Sequence, residues 1–477
     1  MIHLTTDAPE LYGDICEVVR LFRPDAQISL TEGTRTLAHR HEQIGGRWRE
    51  TWTFDGRTLT HEADAVAGGL EGKRAYKRAL KTGLFLLLKQ LTGAAPPWGS
   101  LTGIRPTRLL YEARAAGMNE AEAERFLIDT FYVEPGRARL LTDILAMQRG
   151  LIEREIDEYD LYIGIPFCVT RCAYCSFASD TLGDGRLVEP YLAALLREME
   201  GARRIVQGAG LRARACYLGG GTPTALTAEQ LDRVLEKAQA LFPGAREWTV
   251  EAGRPDTIDR AKLTVMRDRG VERVSVNPQT FSDETLRRIG RAHTSADTLK
   301  AYELAREMGF EVNMDLIAAL PGESTADFEA TVGRVIALMP HSVTVHALSI
   351  KRASRLHEQA WVQPEAGEAA RMVELARARL GAAGYRPYYL YRQKYMAGNL
   401  ENVGYALEGR ACVYNIDIME ETAPILALGA GAITKWLFPR ERRIERAPNV
   451  KNVEHYIARV DEMLERKRRL IEGGEQR

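Results

Sequence analysis

Between residues 160 and 350 the chain alternates two kinds of pattern. Short runs rich in β-branched and aromatic residues, DLYIGI (160–165), ACYLG (215–219), EWTVEA (247–252), RVSVNP (273–278), EVNMDLIAAL (311–320) and SVTVHALSI (342–350), are separated by stretches with apolar residues at helical spacing, such as EPYLAALLREMEGARRIV and SADTLKAYELAREMG. Strand-then-helix repetition predicts parallel strands joined by crossover helices. Six such units are fewer than the eight of a closed barrel. The pattern therefore predicts an α/β open or partial barrel, with its chemistry on the loops at the strand C-terminal ends.

The flanks read differently. Alternation in RWRETWTFDGRTLTHEA (47–63) predicts strand and turn, whereas AYKRALKTGLFLLLKQL (75–91) and the stretch from about 136 to 152 carry apolar stripes of helical period. LTGIRPTRLL (101–110), with Gly103 and Pro106, reads as a loop between helices. Past residue 385 come a tyrosine-rich basic stretch, then ILALGAGAITKW, then one charged amphipathic helix, VEHYIARVDEMLERKRRLI. The organisation expected is an α+β N-terminal region over 1–152, the partial barrel over 153–384 and a small C-terminal, substrate-covering extension over 385–477.

Composition narrows the partners. Sixty-five Lys plus Arg balance 65 Asp plus Glu, so no basic excess points to nucleic acid. The N-terminal stretch lacks a basic segment followed by an apolar one. The most apolar short run, GLFLLLKQL (83–91), is far too short to span a bilayer. A cytoplasmic protein without a membrane span is expected, and disulfides are uncommon there.

Against that background PFCVTRCAYCSF (166–177) stands out, because three of the chain's six cysteines, Cys168, Cys172 and Cys175, fall within it. A structural zinc wants four ligands and usually a second close pair of Cys or His. Cys16, Cys216 and Cys412 are each isolated. Thiolates also ligate iron–sulfur clusters, where four irons ordinarily take four cysteines. Three on one loop hold three irons and leave the fourth open to a small chelating molecule.

A strand followed by Cys-x-x-x-Cys-x-aromatic-Cys, at the head of a partial (β/α)6 barrel, resembles the radical S-adenosylmethionine (SAM) superfamily. YLGGGTPTAL (217–226), TVEAGRPDT (249–257), RVSVNPQTFSDETLRRIGRAHT (273–294) and NMDLIAALPGES (313–324) fall at successive strand ends. Together they resemble the oxygen-independent coproporphyrinogen III oxidase (coproporphyrinogen dehydrogenase) family. GNLENVGYA, LGAGAITK and the upstream LTGIRPTRLL resemble its long-N-terminus bacterial branch.

The resemblance implies a [4Fe–4S] cluster on Cys168, Cys172 and Cys175, with SAM bound to the open iron. It implies that Tyr162 and Tyr174 help seat SAM, that Gly220, Gly221 and Thr222 touch it, and that Glu251 meets its ribose or amino group. It also implies that Gln279, Arg291 and Asp315 hold a second SAM, with weaker contacts from Ala347 and Ile433. Asp315 can equally be read as a strand-end cap, and Arg291 as an ion-pair partner. His293, His341 and His346 stand near candidate loops without an assigned role. The tyrosines of 385–395 read as core and rim, or as the wall of a flat macrocycle whose propionates meet Arg386, Arg392 or Lys394.

The activity implied is oxidative decarboxylation of coproporphyrinogen III to protoporphyrinogen IX in anaerobic haem biosynthesis, with an external electron donor such as a flavodoxin or ferredoxin. Each of two propionates gives up a hydrogen atom, an electron and carbon dioxide, leaving a vinyl group, and two SAM are consumed. The dehydrogenase branch has a further cysteine two positions after the third ligand, where this chain has Phe177. The Cys-x-Phe form also occurs in relatives that bind and deliver haem. Three readings thus stand: a porphyrinogen dehydrogenase, a haem-binding chaperone on the same scaffold, and a zinc or purely structural loop.

Overall fold

The computed structural model describes residues 1–103, 105–176, 180–351, 354–358, 361, 366–392, 400–438 and 443–473. These form two compact units, one of Met1–Thr142 joined by Arg392 and Leu400, the other holding the remainder.

In the first unit, β1 (Ile2–Thr6), β2 (Ile28–Ser29), β3 (Arg35–Ile44), β4 (Arg47–Phe54) and β5 (Arg57–Asp64) make one sheet in the order β2-β1-β3-β4-β5. The expected strand-and-turn over 47–63 is the β4–β5 hairpin. Asp55 and Gly56 turn it with φ of +48° and +75°, the backbone a two-residue hairpin loop requires. Alternation in β4 sends Trp48, Glu50, Trp52 and Phe54 inward, against the helix Gly69–Thr92 that covers the expected 75–91. Buried Glu50 is bonded on both oxygens, at 2.8 Å from His39 Nε2 and 2.8 Å from His41 Nδ1. LTGIRPTRLL is only half a loop, since the helix Thr107–Ala115 starts directly after Pro106. Proline suits that place because the first N–H groups of a helix have no partner within it.

The second unit is built on β6 (Glu158–Ile165), β9 (Arg212–Gly220), β10 (Glu247–Val250), β11 (Arg273–Ser275), β12 (Glu311–Ala318) and β13 (Ser342–Ala347), six strands paired in parallel in that order. A separate small pair, β7 (Phe167–Cys168) and β8 (Asp180–Thr181), lies in the loop after β6. All six strands expected from the sequence are present. The crossover helices begin where short polar side chains satisfy free N–H groups, as in the capping boxes Thr227/Gln230, Thr294/Asp297 and Ser324/Asp327.

The described strands between Arg386 and Pro448 extend this sheet at both edges. β14 (Arg386–Tyr391) and β15 (Asn402–Ala406) add antiparallel strands beyond β13, while β16 (Ile425–Leu428) pairs in parallel with β6 and is followed by β17 (Ile433–Phe438) and β18 (Arg443–Pro448). To pass from one edge to the other, the chain crosses the N-terminal ends of the parallel strands. Leu407 N–H donates to His341 O (3.0 Å), Arg273 reaches Arg410 O (3.2 Å), and Glu247 accepts from Val413 and Tyr414 N–H (2.9 and 3.1 Å). Farther along, Asp417 lies 3.6 Å from Arg214. This strap closes the barrel's base and leaves the opposite end to the loops. Among the described residues no helix is long and apolar enough to cross a membrane.

The single helix expected over 453–471 is two, Val453–Ala458 and Val460–Glu472, broken at Arg459. The break has a physical reason. Tyr456 Oη and Lys467 Nζ both bond the fully buried Glu198, at 2.6 and 2.8 Å. In one continuous helix these residues would lie about 16 Å apart along the axis. Glu198 also accepts from Gly429 N–H (2.7 Å) and Asn449 Nδ2 (2.8 Å), which fixes the turn beside the end of β6. Removing one partner of such a pair strands a buried charge. Lys467→Met is expected to destabilise this unit by about 3–5 kcal/mol, measured as a lowered chemical-denaturation midpoint.

Candidate active site

The register of β6 and β9 sets Gly164 opposite Gly219 and Ile165 opposite Gly220. Past the strand ends the pairing continues: Gly221 N–H donates to Ile165 O (2.7 Å) and Thr222 N–H to Phe167 O (2.8 Å). Gly220 has φ of +112°, a region that favours glycine. A Cβ at Gly221 would stand 2.6 Å from Phe167 O and 3.0 Å from Cys168 Sγ. The glycines thus let the second strand end lie directly on the entrance of the cysteine loop, where Thr222 Oγ1 sits 3.5 Å from Cys168 Sγ.

The loop itself is held from outside. Ala173 N–H donates to Ile289 O (2.8 Å), Leu356 N–H to Ala173 O (3.0 Å) and Leu182 N–H to Cys168 O (2.8 Å). Buried Arg291 donates from Nη2 and Nε to Tyr174 Oη (2.9 and 3.3 Å) and from Nη1 to Gly253 O (3.1 Å). Among the described residues Cys168, Cys172 and Cys175 form no disulfide. Among the described residues no three Cys, His, Asp or Glu side chains converge closely enough to enclose one metal ion. A tetrahedral zinc needs that convergence. A four-iron cluster does not, because each thiolate takes a different iron; the donor set fits the cluster.

Around this loop the other strand ends bring a carboxyl pair and several amides. Glu251, just past β10, lies against the glycine turn, 2.8 Å from where a Gly219 Cβ would be, and Gly220 N–H donates to it. Burial raises its carboxyl, the Asp315 charge raises it further, and the result is a value pushed up to about 8. Asp315 goes the other way. Burial again raises it, but bonds from His346, Asn313 and Thr344 hold it below the usual carboxylate range. Asn277 Nδ2 (2.9 Å) and Asn313 Nδ2 (2.8 Å) bond its two oxygens. Gln279, at φ +65°, has a buried Oε1 with no partner among the described residues.

Several expected positions prove to be otherwise occupied. The N–H of Gly221 is committed to Ile165, that of Ala347 to Asn402 Oδ1 (2.9 Å), and the Arg291 guanidinium to Tyr174. Ile433 is exposed, next to the turn whose Gly429 abuts Gly164. Arg386 pairs with Ala406 and so lies level with the start of β13, at the end opposite the cysteine loop. Arg392 donates to Leu101 O (2.8 Å) in the first unit. Tyr385, Tyr388 and Tyr389 are core. Lys394 and Phe177 lie outside the described residues. His341 packs at the base, bonded by Val312 N–H (3.0 Å), and His293 is buried and lowered to about 4 by burial and by Arg291. His346 stands 3.7 Å from Asp315, with Tyr391 Oη 3.4 Å from its other nitrogen. The sequence reading missed Tyr217 and Tyr414, whose rings stack at 4.6 Å beside Tyr162. The signal available for Tyr217 was its place two residues before Gly219, on the face that Tyr162 shares.

The profile of the radical SAM superfamily matches residues 162–335. Over 413 residues the chain is 40% identical to the oxygen-independent coproporphyrinogen-III oxidase-like protein HemZ of Bacillus subtilis, spanning 84% of this chain and 82% of that one. The chain belongs to the oxygen-independent coproporphyrinogen-III oxidase-like family of the radical SAM superfamily. As a radical SAM protein its cofactors are a [4Fe–4S] cluster and SAM. Relatives with another role are near as well: the chain is 32% identical over 240 residues to the heme chaperone HemW of Bacillus subtilis, covering 48% of this chain and 61% of that one. Among solved structures, the coproporphyrinogen III oxidase HemN of Escherichia coli shares the fold, with a TM-score of 0.51 and 24% identity over 69% of this chain and 73% of that one.

The raised Glu251 gives this radical SAM site a pH signature. Its folded value lies above that of the unfolded chain, so the native state holds the extra proton. The stability this gives is complete below the ordinary carboxylate range and is lost as pH rises through about 8. Glu251→Gln removes the dependence. In the cofactor-free protein the variant's unfolding temperature should gain on the parent's between pH 5 and 8 and run parallel above that.

Proposed function

We propose that this chain is an oxygen-independent coproporphyrinogen III dehydrogenase, converting two propionates of coproporphyrinogen III to the vinyl groups of protoporphyrinogen IX. The observation that carries the reading is the three-thiol loop laid against the Gly219–Thr222 turn at the loop end of an open parallel barrel. Cys168, Cys172 and Cys175 would hold the cluster. Once bound, the cluster and SAM supply reductive cleavage of the sulfonium, hence a carbon radical able to take hydrogen from a propionate.

The chain's own residues do the rest. Tyr174, fixed by Arg291, and Tyr162, stacked beside Tyr217, wall the SAM site. Glu251, neutral near pH 7 without SAM, accepts from its amino or hydroxyl groups once they arrive, and a cationic ammonium favours its ionised form. Asp315, ionised and aimed by two asparagines, is a second acceptor. Gln279, whose Oε1 has no partner among the described residues, lies beside it. Ala347 and Ile433 border the same end of the sheet, though the Ala347 amide is already used.

The second reading is a haem-binding chaperone, favoured by the likeness to HemW and by Phe177 where the dehydrogenase branch has cysteine. In either case a tetrapyrrole is the partner, and reduction needs an external donor such as a flavodoxin or ferredoxin. Anaerobic incubation with coproporphyrinogen III, SAM and a reductant distinguishes the two. Protoporphyrinogen IX should accumulate; tight haem binding without turnover would give the chaperone instead. Cys172→Ala should fold but lose the visible absorbance of the reconstituted cluster. If that absorbance persists, the cluster is elsewhere.

A further inference from the structure

Arg254 lies just beyond β10, four positions from its end, and is 3% exposed. Burying a guanidinium is costly unless its N–H groups find acceptors. Here Nε and Nη2 grip Asp256 at 3.0 and 2.7 Å, which neutralises the charge. Nη1 is turned the other way, to Thr170 Oγ1 (2.6 Å) and Thr170 O (3.2 Å). Charge balance does not require that last contact. It joins an ion pair to a residue midway between Cys168 and Cys172.

Thr170 is exposed. Its hydroxyl also lies 3.4 Å from Gly290 O, the neighbour of the Ile289 carbonyl that holds Ala173. The arginine's own backbone is equally well tied. Arg254 O accepts from Thr257 N–H and Oγ1 (3.0 and 2.8 Å), and Thr257 Oγ1 meets Thr224 Oγ1 (2.7 Å) next to the glycine turn. Between Cys172 and Cys175 the loop has its own turn bond, Cys175 N–H to Cys172 O at 3.2 Å.

We propose that Arg254, backed by Asp256, is a positioning residue that pre-forms the cysteine loop, so that the three thiols are already near their final places when iron and sulfide arrive. Ordering the loop beforehand removes that entropy cost from cluster assembly. Lysine cannot replace it, since one ammonium has no planar fork with which to hold Asp256 and Thr170 on opposite sides. The inference rests on reading Cys168, Cys172 and Cys175 as the cluster ligands.

The test uses the full-length, metal-free chain, comparing Arg254→Gln, Arg254→Lys and Thr170→Val with the parent. Hydrogen exchange reports the amides of Ala173 and Cys175, anaerobic uptake of iron and sulfide is followed at visible wavelengths, and the unfolding temperature controls for global damage. Expected are faster exchange at those amides and severalfold slower uptake in Arg254→Gln. A smaller change in the same direction is expected for Thr170→Val, and Arg254→Lys should not restore the parent's behaviour. The reduced cluster's electron paramagnetic resonance signal should also broaden in Arg254→Gln. Exchange and uptake like the parent's in Arg254→Gln overturn the proposal; should the arginine variants fail to fold, the same result in Thr170→Val, which removes the shorter of the two Nη1 contacts, overturns it. A parent chain that takes up no cluster at all overturns the cluster reading itself, and this inference with it.

Discussion

Two strand ends touching backbone to backbone set the geometry of this protein's working end. Where β6 and β9 finish, the carbonyls of Ile165 and Phe167 accept from Gly221 and Thr222, and no side chain fits between them. The contact fixes the direction in which the chain leaves β6, and with it where Cys168 emerges. Every later tie on the cysteine loop, from Ile289, Arg291 and Leu356, adds to an exit already decided by glycine. Parallel pairing makes this possible, since it brings all the strand C-terminal ends, and so all the loops, to one side.

The charges there are sorted in depth. Arg291 faces a phenol and backbone carbonyls, Asp315 a ring of amides and an imidazole, and Glu251 a glycine amide and a second carboxylate. Two carboxyls of the same kind are thereby driven in opposite directions, one kept charged and one kept neutral. An anionic visitor would meet an ionised Asp315; a cationic one would be matched by both acids. Arg291 and Arg254 do not offset this preference, because their N–H groups are turned into the protein.

What the sequence disclosed follows the range of each interaction. Strand periodicity is local, so all six parallel strands could be read from it. The cysteine spacing and the glycine run are local too, and the resemblance built on them names the family correctly. Contacts between distant segments were invisible. Nothing near Tyr414 announces that it stacks on Tyr217, and nothing near Arg459 announces that Tyr456 and Lys467 must share one carboxylate. Carrying residues over from a family also says nothing of what else holds them. Gly221 and Ala347 stand at the expected strand ends and Arg291 between the two helices that follow β11, yet each has N–H groups committed within the chain.

The extension of the sheet at both edges has a bearing on how the chain is made. On a ribosome β6 is synthesised early, yet its partner β16 lies more than 250 residues downstream, beyond the strap and after every other parallel strand. Until then one border of the nascent sheet has open hydrogen-bonding groups, which invite pairing with another chain. Contacts so distant in sequence slow the search for the native state. The order of synthesis therefore leaves that flank of β6 unpaired until residues 425–428 have been made.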